Sequence, residues 1–254
     1  ERLEWARMRM DPTDILDVTG SVYTYVVNGY GPNDNWTALF KPGERVRLRF
    51  INASAMTIFN VRIPGLRMTV VAADGLPVRP VPVDELQMSI AETYDVIVTP
   101  TADRPYTIVG EAADRSGLAR ATLAPRAGMV AEVPPLRERP LLTMKDMGMG
   151  GMDTPASDDP HAGHDMEGMD MPVSGGGAVG QAGATGHSMS MRDGANAPQV
   201  VLGPGVQSIA PMPMDRTGEP GVGLENVGHK VLVYRDLVAL ERNPDVRGAA
   251  REIE

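Results

Sequence analysis

Apolar and polar positions alternate most strictly in RVRLRF (45–50), with Val46, Leu48 and Phe50 on one face and Arg45, Arg47 and Arg49 on the other. A period of two marks a half-buried strand, and Lys41-Pro42-Gly43-Glu44 supplies a turn before it. Comparable runs recur at YTYVVN (23–28), FNVRI (59–63), MTVVAA (68–73), LQMSI (86–90), YDVIVT (94–99), YTIVGE (106–111) and ARATLA (119–124). IPG, ADG, TPTADRP and DRSG punctuate them. Short strands at this spacing, with Gly, Pro and Asp turns, predict an all-β fold, an antiparallel sandwich or barrel. Met56, Met68 and Met88, with Met10 just upstream, are expected to pack in its core. Asp84, Glu85, Glu92 and Asp95 fall near strand ends and are expected to be solvated turn and edge residues, not a general acid–base pair.

The pattern then stops. Between Tyr106 and Tyr234 lie 127 residues without Phe, Trp or Tyr, many of them Gly, Pro, Ala and Met. Such a composition buries too little apolar surface to offset the entropy of ordering its backbone. The expected organisation is a lead-in segment over 1–20, a folded domain over 21–125, a flexible Met/His/Gly-rich linker over 126–200 and a short mixed tail over 201–254. GGGAVG (175–180) matches a dinucleotide glycine pattern, but it follows no strand and opens no helix, so it reads as linker. NWT (35–37) and NAS (52–54) match the glycosylation sequon within strand or turn segments and are expected to be unused.

Composition narrows the function. Cysteine is absent, which excludes disulfides, thiolate ligands and a cysteine nucleophile. A net charge of −9 argues against a nucleic-acid partner. No apolar run approaches the roughly 18 residues of a membrane span. The chain opens ERLEW without a signal peptide, and is expected to be a fragment or processed piece of a longer protein.

Several stretches carry a family resemblance: WARMRMDPTDILDVTG (5–20), YTYVVNG (23–29), NWTALFKPGERVRLRFINASAMT (35–57), VRIPGLRMTVVAADG (61–75) and AETYDVIV (91–98). They resemble the middle cupredoxin domain of the copper-resistance protein A family, periplasmic multicopper oxidases of bacteria. GEPGVGLENVGHKVLVYRDLVAL (218–240) resembles the passage leading into that family's third cupredoxin domain, and a Met-rich interruption is also a family trait. The resemblance implies a cupredoxin-like Greek-key β-sandwich, a periplasmic location and flanking cupredoxin domains as partners. It also implies a type 1 copper held by two His, a Cys and usually an axial Met, beside a trinuclear cluster held by His-x-His pairs. No residue here matches those ligands: there is no Cys, no His-x-His pair, and only His161, His164, His187 and His229. A blue-copper site requires a thiolate. The catalytic centres are therefore expected outside this chain, and the sandwich is expected to space and orient its neighbours.

One stretch keeps its own metal chemistry. Residues 144–171, MKDMGMGGMDTPASDDPHAGHDMEGMDM, hold seven Met and two His but no Leu, Ile, Val, Phe, Trp or Tyr. Helix packing would bring branched aliphatic residues with the Met, and seven residues there are Gly or Pro. Thioether sulfur is soft and suits Cu(I), and imidazole suits both copper states. Met144, Met147, Met149, Met152, Met166, Met169 and Met171 lie two or three residues from their neighbours within each group, with His161 and His164 between the groups. His187, Met189 and Met191 form a second, smaller cluster. Seven acids against Lys145 leave 144–171 with a formal charge of −6, which raises the local activity of cations. These twelve residues are the candidate Cu(I) ligands. The expected function is a part of a copper-resistance oxidase whose linker recruits Cu(I). The alternatives are a stand-alone periplasmic copper-sequestering module without redox turnover, and a purely structural spacer.

Overall fold

The computed structural model describes residues 13–143, 145–146, 193–196, 198–209 and 214–242. The chain divides into two units, one of residues 1–143 with 215–253, the other of residues 144–214 with the terminal residue. The first unit holds nine strands: β1 (Trp36–Leu39), β2 (Val46–Ile51), β3 (Phe59–Arg62), β4 (Met68–Ala73), β5 (Leu76–Val83), β6 (Glu85–Met88), β7 (Thr93–Val98), β8 (Tyr106–Ala112) and β9 (Leu118–Ala124). They form two sheets, a five-stranded one in the order β1-β9-β8-β3-β6 and a four-stranded one in the order β2-β7-β4-β5. Consecutive strands pass repeatedly between the sheets, and β1 lies parallel to β9 while the other ladders are antiparallel. The architecture is the cupredoxin-like Greek-key sandwich that the resemblance implied. Among the described residues the only helical elements are two 3₁₀ turns, at Gly194–Asn196 in the second unit and Tyr234–Asp236 in the first.

Alternation builds the core as the pattern requires. Val46, Leu48 and Phe50 of β2 turn inward, and Arg47 and Arg49 point to solvent. Tyr94, Val96 and Val98 of β7 and Met68 and Val70 of β4 meet them, facing Val61, Leu86, Met88, Ile108 and Leu123 from the other sheet. Met68 and Met88 are buried, as expected of core Met, but Met56 is exposed. It sits in the loop before β3, where Asn52 rather than an apolar side chain organises the backbone. The Asn52 side-chain amide donates to the Thr57 carbonyl (2.8 Å) and the Met88 carbonyl (3.2 Å). That amide, one of the two sequon candidates, is buried and has both hydrogens engaged.

Three elements depart from the pattern. Residues 23–28 do not form a strand: Val22 and Tyr23 donate their N–H groups back to the Thr19 carbonyl, and only Val27 and Tyr30 pair. Asn28 and Gly29 between them take φ of 51° and 84°, a left-handed turn that closes the run. Strand β1 is four residues without alternation, and its partner β9 lies far along the chain. Strand β5 carries Pro77, Pro80 and Pro82, which reads against a strand because proline cannot donate to a ladder. It is tolerated at the sheet edge, where β5 pairs with β4 on one side only.

The tail, residues 215–242, covers that edge and the edge at β6. The Lys230 carbonyl accepts from Asp84 N–H (2.8 Å), and Leu232 N–H donates to the Glu85 carbonyl (2.9 Å). Further on, Arg79 N–H donates to the Val238 carbonyl (2.8 Å) and Leu240 N–H to the Pro77 carbonyl (3.0 Å). Edge strands left bare invite pairing with other chains; here both take main-chain partners from one segment. Leu232 joins the main core and Leu224 is buried. Asp215, which accepts from the Thr217 hydroxyl and N–H and from Arg235, ties the start of this segment to its 3₁₀ turn. Those hydrogen bonds, with the Arg235 charge, hold its carboxyl at about 2. Replacing Leu232 with Ala removes a core contact from the tail, and is expected to lower unfolding free energy by about 2–5 kcal/mol. Chemical denaturation of the two proteins measures the difference.

Candidate functional site

All twelve candidate copper ligands, Met144, Met147, Met149, Met152, His161, His164, Met166, Met169, Met171, His187, Met189 and Met191, lie outside the described residues. Among the described residues no group of three His, Cys, Asp or Glu side chains is arranged to hold a metal ion. The densest ionisable chemistry is instead a cluster on the outer face of the five-stranded sheet. Register explains its position. Val61 and Leu86 point into the core, so Asn60 and Arg62 of β3 and Glu85 and Gln87 of β6 point the other way. Glu111 of β8 stands opposite Asn60 and shares that face.

Glu85 and Glu111 are both completely buried. For Glu85 this corrects the expectation of a solvated strand-end carboxylate. Asp84 and Glu92 do sit at turns between strands, whereas Asp95 is a second correction: it lies within the interior strand β7, paired on both sides, with its side chain mostly covered. Glu92 accepts from Ser89 N–H (2.6 Å), and Asp95 pairs with Arg47 and Arg49. Glu85 is different because chain arriving from two directions covers it. Arg137, beyond β9, places Nη2 2.6 Å from Glu85 Oε1 and Nη1 3.0 Å from Oε2, a two-pronged pairing. The same guanidinium donates from Nε to Glu111 Oε2 (2.6 Å), and Arg137 N–H reaches Glu111 Oε1 (3.0 Å). Arg62 Nη1 lies 3.2 Å from Glu111 Oε2 and 3.6 Å from Glu85 Oε1. Arg115 Nη1 lies 3.3 Å from Glu111 Oε2, and its Nη2 donates to the Gly223 carbonyl (2.9 Å). His229 Nε2 stands 2.7 Å from Glu85 Oε2.

Three guanidinium groups thus enclose two carboxylates, with an imidazole at the rim. The partners come from β3, β6, β8 and the chain on either side of the Met-rich stretch, so the arrangement is suited to holding chain segments together. Burial by itself would raise the Glu111 carboxyl. The Arg137 backbone and side-chain hydrogen bonds, with the charges of Arg62 and Arg137, outweigh that and hold it below the usual carboxylate range. Burial and the neighbouring Arg137 charge lower the Arg115 guanidinium, against the pull of both carboxylates. The sequence contains a partial signal for this site: Arg62 and Glu85 alternate with core residues and so must leave the core. Nothing local shows that 131–140 and 221–232 then fold over them.

The four-stranded sheet differs in its outer chemistry. Two open hollows of about 510 and 400 Å³ lie on the outside of the four-stranded sheet and share Val71. Arg45, Arg47, Arg49 and Arg67 line them against a single acid, Asp95. That excess of positive charge disfavours a copper ion there.

Because the folded pKa of Glu111 is depressed, its stabilising contribution is complete above the ordinary glutamate value near 4.5. It is lost as pH falls through the lower folded value. The wild-type melting temperature is therefore expected to drop steeply below about pH 4.5, and Glu111→Gln to be less stable at neutral pH by about 3–5 kcal/mol with a flatter acid limb. Melting curves from pH 7 to pH 2.5 test both parts.

Comparison with known proteins agrees with the sequence resemblance. The multicopper oxidase family profile matches residues 5–127. Copper resistance protein A of Escherichia coli is 47% identical over the whole of this chain, which spans 45% of that protein. A copper resistance protein A homolog of Pseudomonas syringae pv. tomato is 49% identical, again over the whole chain and 43% of the relative. Among solved structures, the laccase from Botrytis aclada aligns with 44% of this chain and 23% of its own, at 26% identity and a TM-score of 0.37. The chain thus spans less than half the length of the curated relatives it matches. It belongs to the copper-resistance protein A family of multicopper oxidases.

Proposed function

We propose that this chain is the middle portion of a periplasmic copper-resistance oxidase, and that its Met/His-rich stretch binds and recruits Cu(I) for an oxidising centre elsewhere in the parent protein. The family implies copper as cofactor. The residues present do not fit a type 1 or trinuclear centre, because the chain has no Cys and no His-x-His pair. No oxidase step is therefore assigned to them. The sandwich spaces and orients flanking cupredoxin domains, and the soft donors of 144–191 handle the metal. No helix among the described residues is long and apolar enough to cross a membrane.

The observation that carries this reading is the donor set itself. Nine Met and three His fall within residues 144–191, and the stretch 144–171 contains no branched aliphatic or aromatic residue. Thioethers favour Cu(I) over hard cations, and the local formal charge of −6 attracts it. In the full-length protein, Cu(I) delivered from this stretch would be oxidised to Cu(II) with dioxygen as electron acceptor.

The test is anaerobic titration of the full chain with Cu(I) against a chromophoric Cu(I) chelator. The chain is expected to withdraw copper from the chelator. A variant with all seven Met of 144–171 replaced by Ser is expected to lose most of that capacity. Thioethers do not titrate, whereas free imidazole protonates near pH 6.5. Cu(I) binding is therefore expected to persist at about pH 5, while Cu(II) binding through His161 and His164 falls. Failure to compete at any pH, or equal competition by the variant lacking the seven Met of 144–171, refutes the assignment.

A further inference from the structure

The described chain leaves the sandwich and returns to it at one carboxylate. Arg137 lies on the outgoing stem and His229 on the returning stem, with 91 residues between them. Both place nitrogens within 3.0 Å of the Glu85 carboxylate. The Glu85 backbone adds to this, since its carbonyl accepts from Leu232 N–H (2.9 Å). The stems also meet each other. A Cβ added to Gly223 would lie 2.9 Å from Pro140 Cβ and 3.0 Å from Arg115 Nη2, and Gly223 has φ of 77°. A Cβ on Gly221 would lie 2.1 Å from the Gln87 side-chain oxygen. Gly223 must be glycine for the returning stem to lie this close, and a side chain at Gly221 would require Gln87 to move.

We propose that Glu85 is an ionic staple that fastens both stems to the sandwich, making the Met-rich stretch an insertion with a closed base and the tail an integral part of the domain. A buried carboxylate is suited to this. Breaking a buried pair leaves an uncompensated charge, so neither stem detaches without a large penalty. Closing a flexible loop costs only slightly more as it lengthens. An insertion closed in this way can change length, or gather around a metal, without loosening the sheet edges at β5 and β6. The proposal holds whether or not the insertion binds copper.

The test uses the full chain with a site-specific protease sequence substituted into 173–180. Cleavage is followed on a denaturing gel, and the cut protein is then run on a sizing column under native conditions. The two pieces are expected to co-elute as one species, with the circular dichroism and melting temperature of the uncut protein. In the cut His229→Ala protein, release of the C-terminal piece is expected to be faster by about tenfold or more, since a hydrogen bond to a charged group is lost. Glu85→Ala is expected to release it completely, and if that variant does not fold, His229→Ala decides. Separation of the wild-type pieces, or a cut His229→Ala protein that retains its tail as tightly as the parent, overturns the proposal.

Discussion

The burial of two carboxylates under three guanidinium groups is the constraint on which the rest of this structure depends. Glu85 and Glu111 have no access to water and are viable as charges only because Arg62, Arg115 and Arg137 converge on them. Arg137 belongs to chain beyond the last strand, and His229 to chain separated from it by 91 residues. Satisfying the carboxylates therefore requires segments that no sheet ladder would otherwise hold. An ion cluster of this kind is weak evidence for net stability, since well-packed apolar residues often do as well. What it supplies is specificity of position: a segment carrying a planar, multidentate guanidinium can be matched to two fixed carboxylates in few ways.

The two sheets consequently have different outer faces. That of the five-stranded sheet is polar, buried and covered by its own chain, with the Thr107 hydroxyl donating to the Glu132 carbonyl (2.7 Å) further along β8. That of the four-stranded sheet is open and rimmed with arginine. Among the described residues neither face gathers three His, Cys, Asp or Glu side chains around a metal position. In the proposed function the division of labour within this chain is between a sandwich that holds positions and a stretch of soft donors that holds the metal. A rigid platform with both ends of an insertion anchored on it suits that division.

The strands were legible where alternation or a run of β-branched residues was strong, as in β2, β4, β7 and β8. They were not legible where the decisive partner was remote. Three prolines disguised β5, whose free edge is completed by residues 238–240. WTAL shows no period, and is a strand because β9 lies beside it. Residues 23–28 look like a strand locally, but the Asn28-Gly29 turn and the Thr19 carbonyl take up their hydrogen bonds instead.

The donor chemistry proposed for the Met/His stretch rests on the sequence alone, because softness of sulfur, absence of cysteine and local charge are properties of residue type. So does the exclusion of a type 1 or trinuclear copper site from this chain. The ion cluster was not readable. Glu85 sits near a strand end, a position that ordinarily means solvent, and Arg137 and His229 lie in segments without periodicity. Their roles follow from which chain covers which face, and that is decided only when all parts of the fold pack together. Ligand preference is local chemistry and survives in the sequence. Burial and ionic pairing are relations between distant residues, and exist only in the tertiary structure.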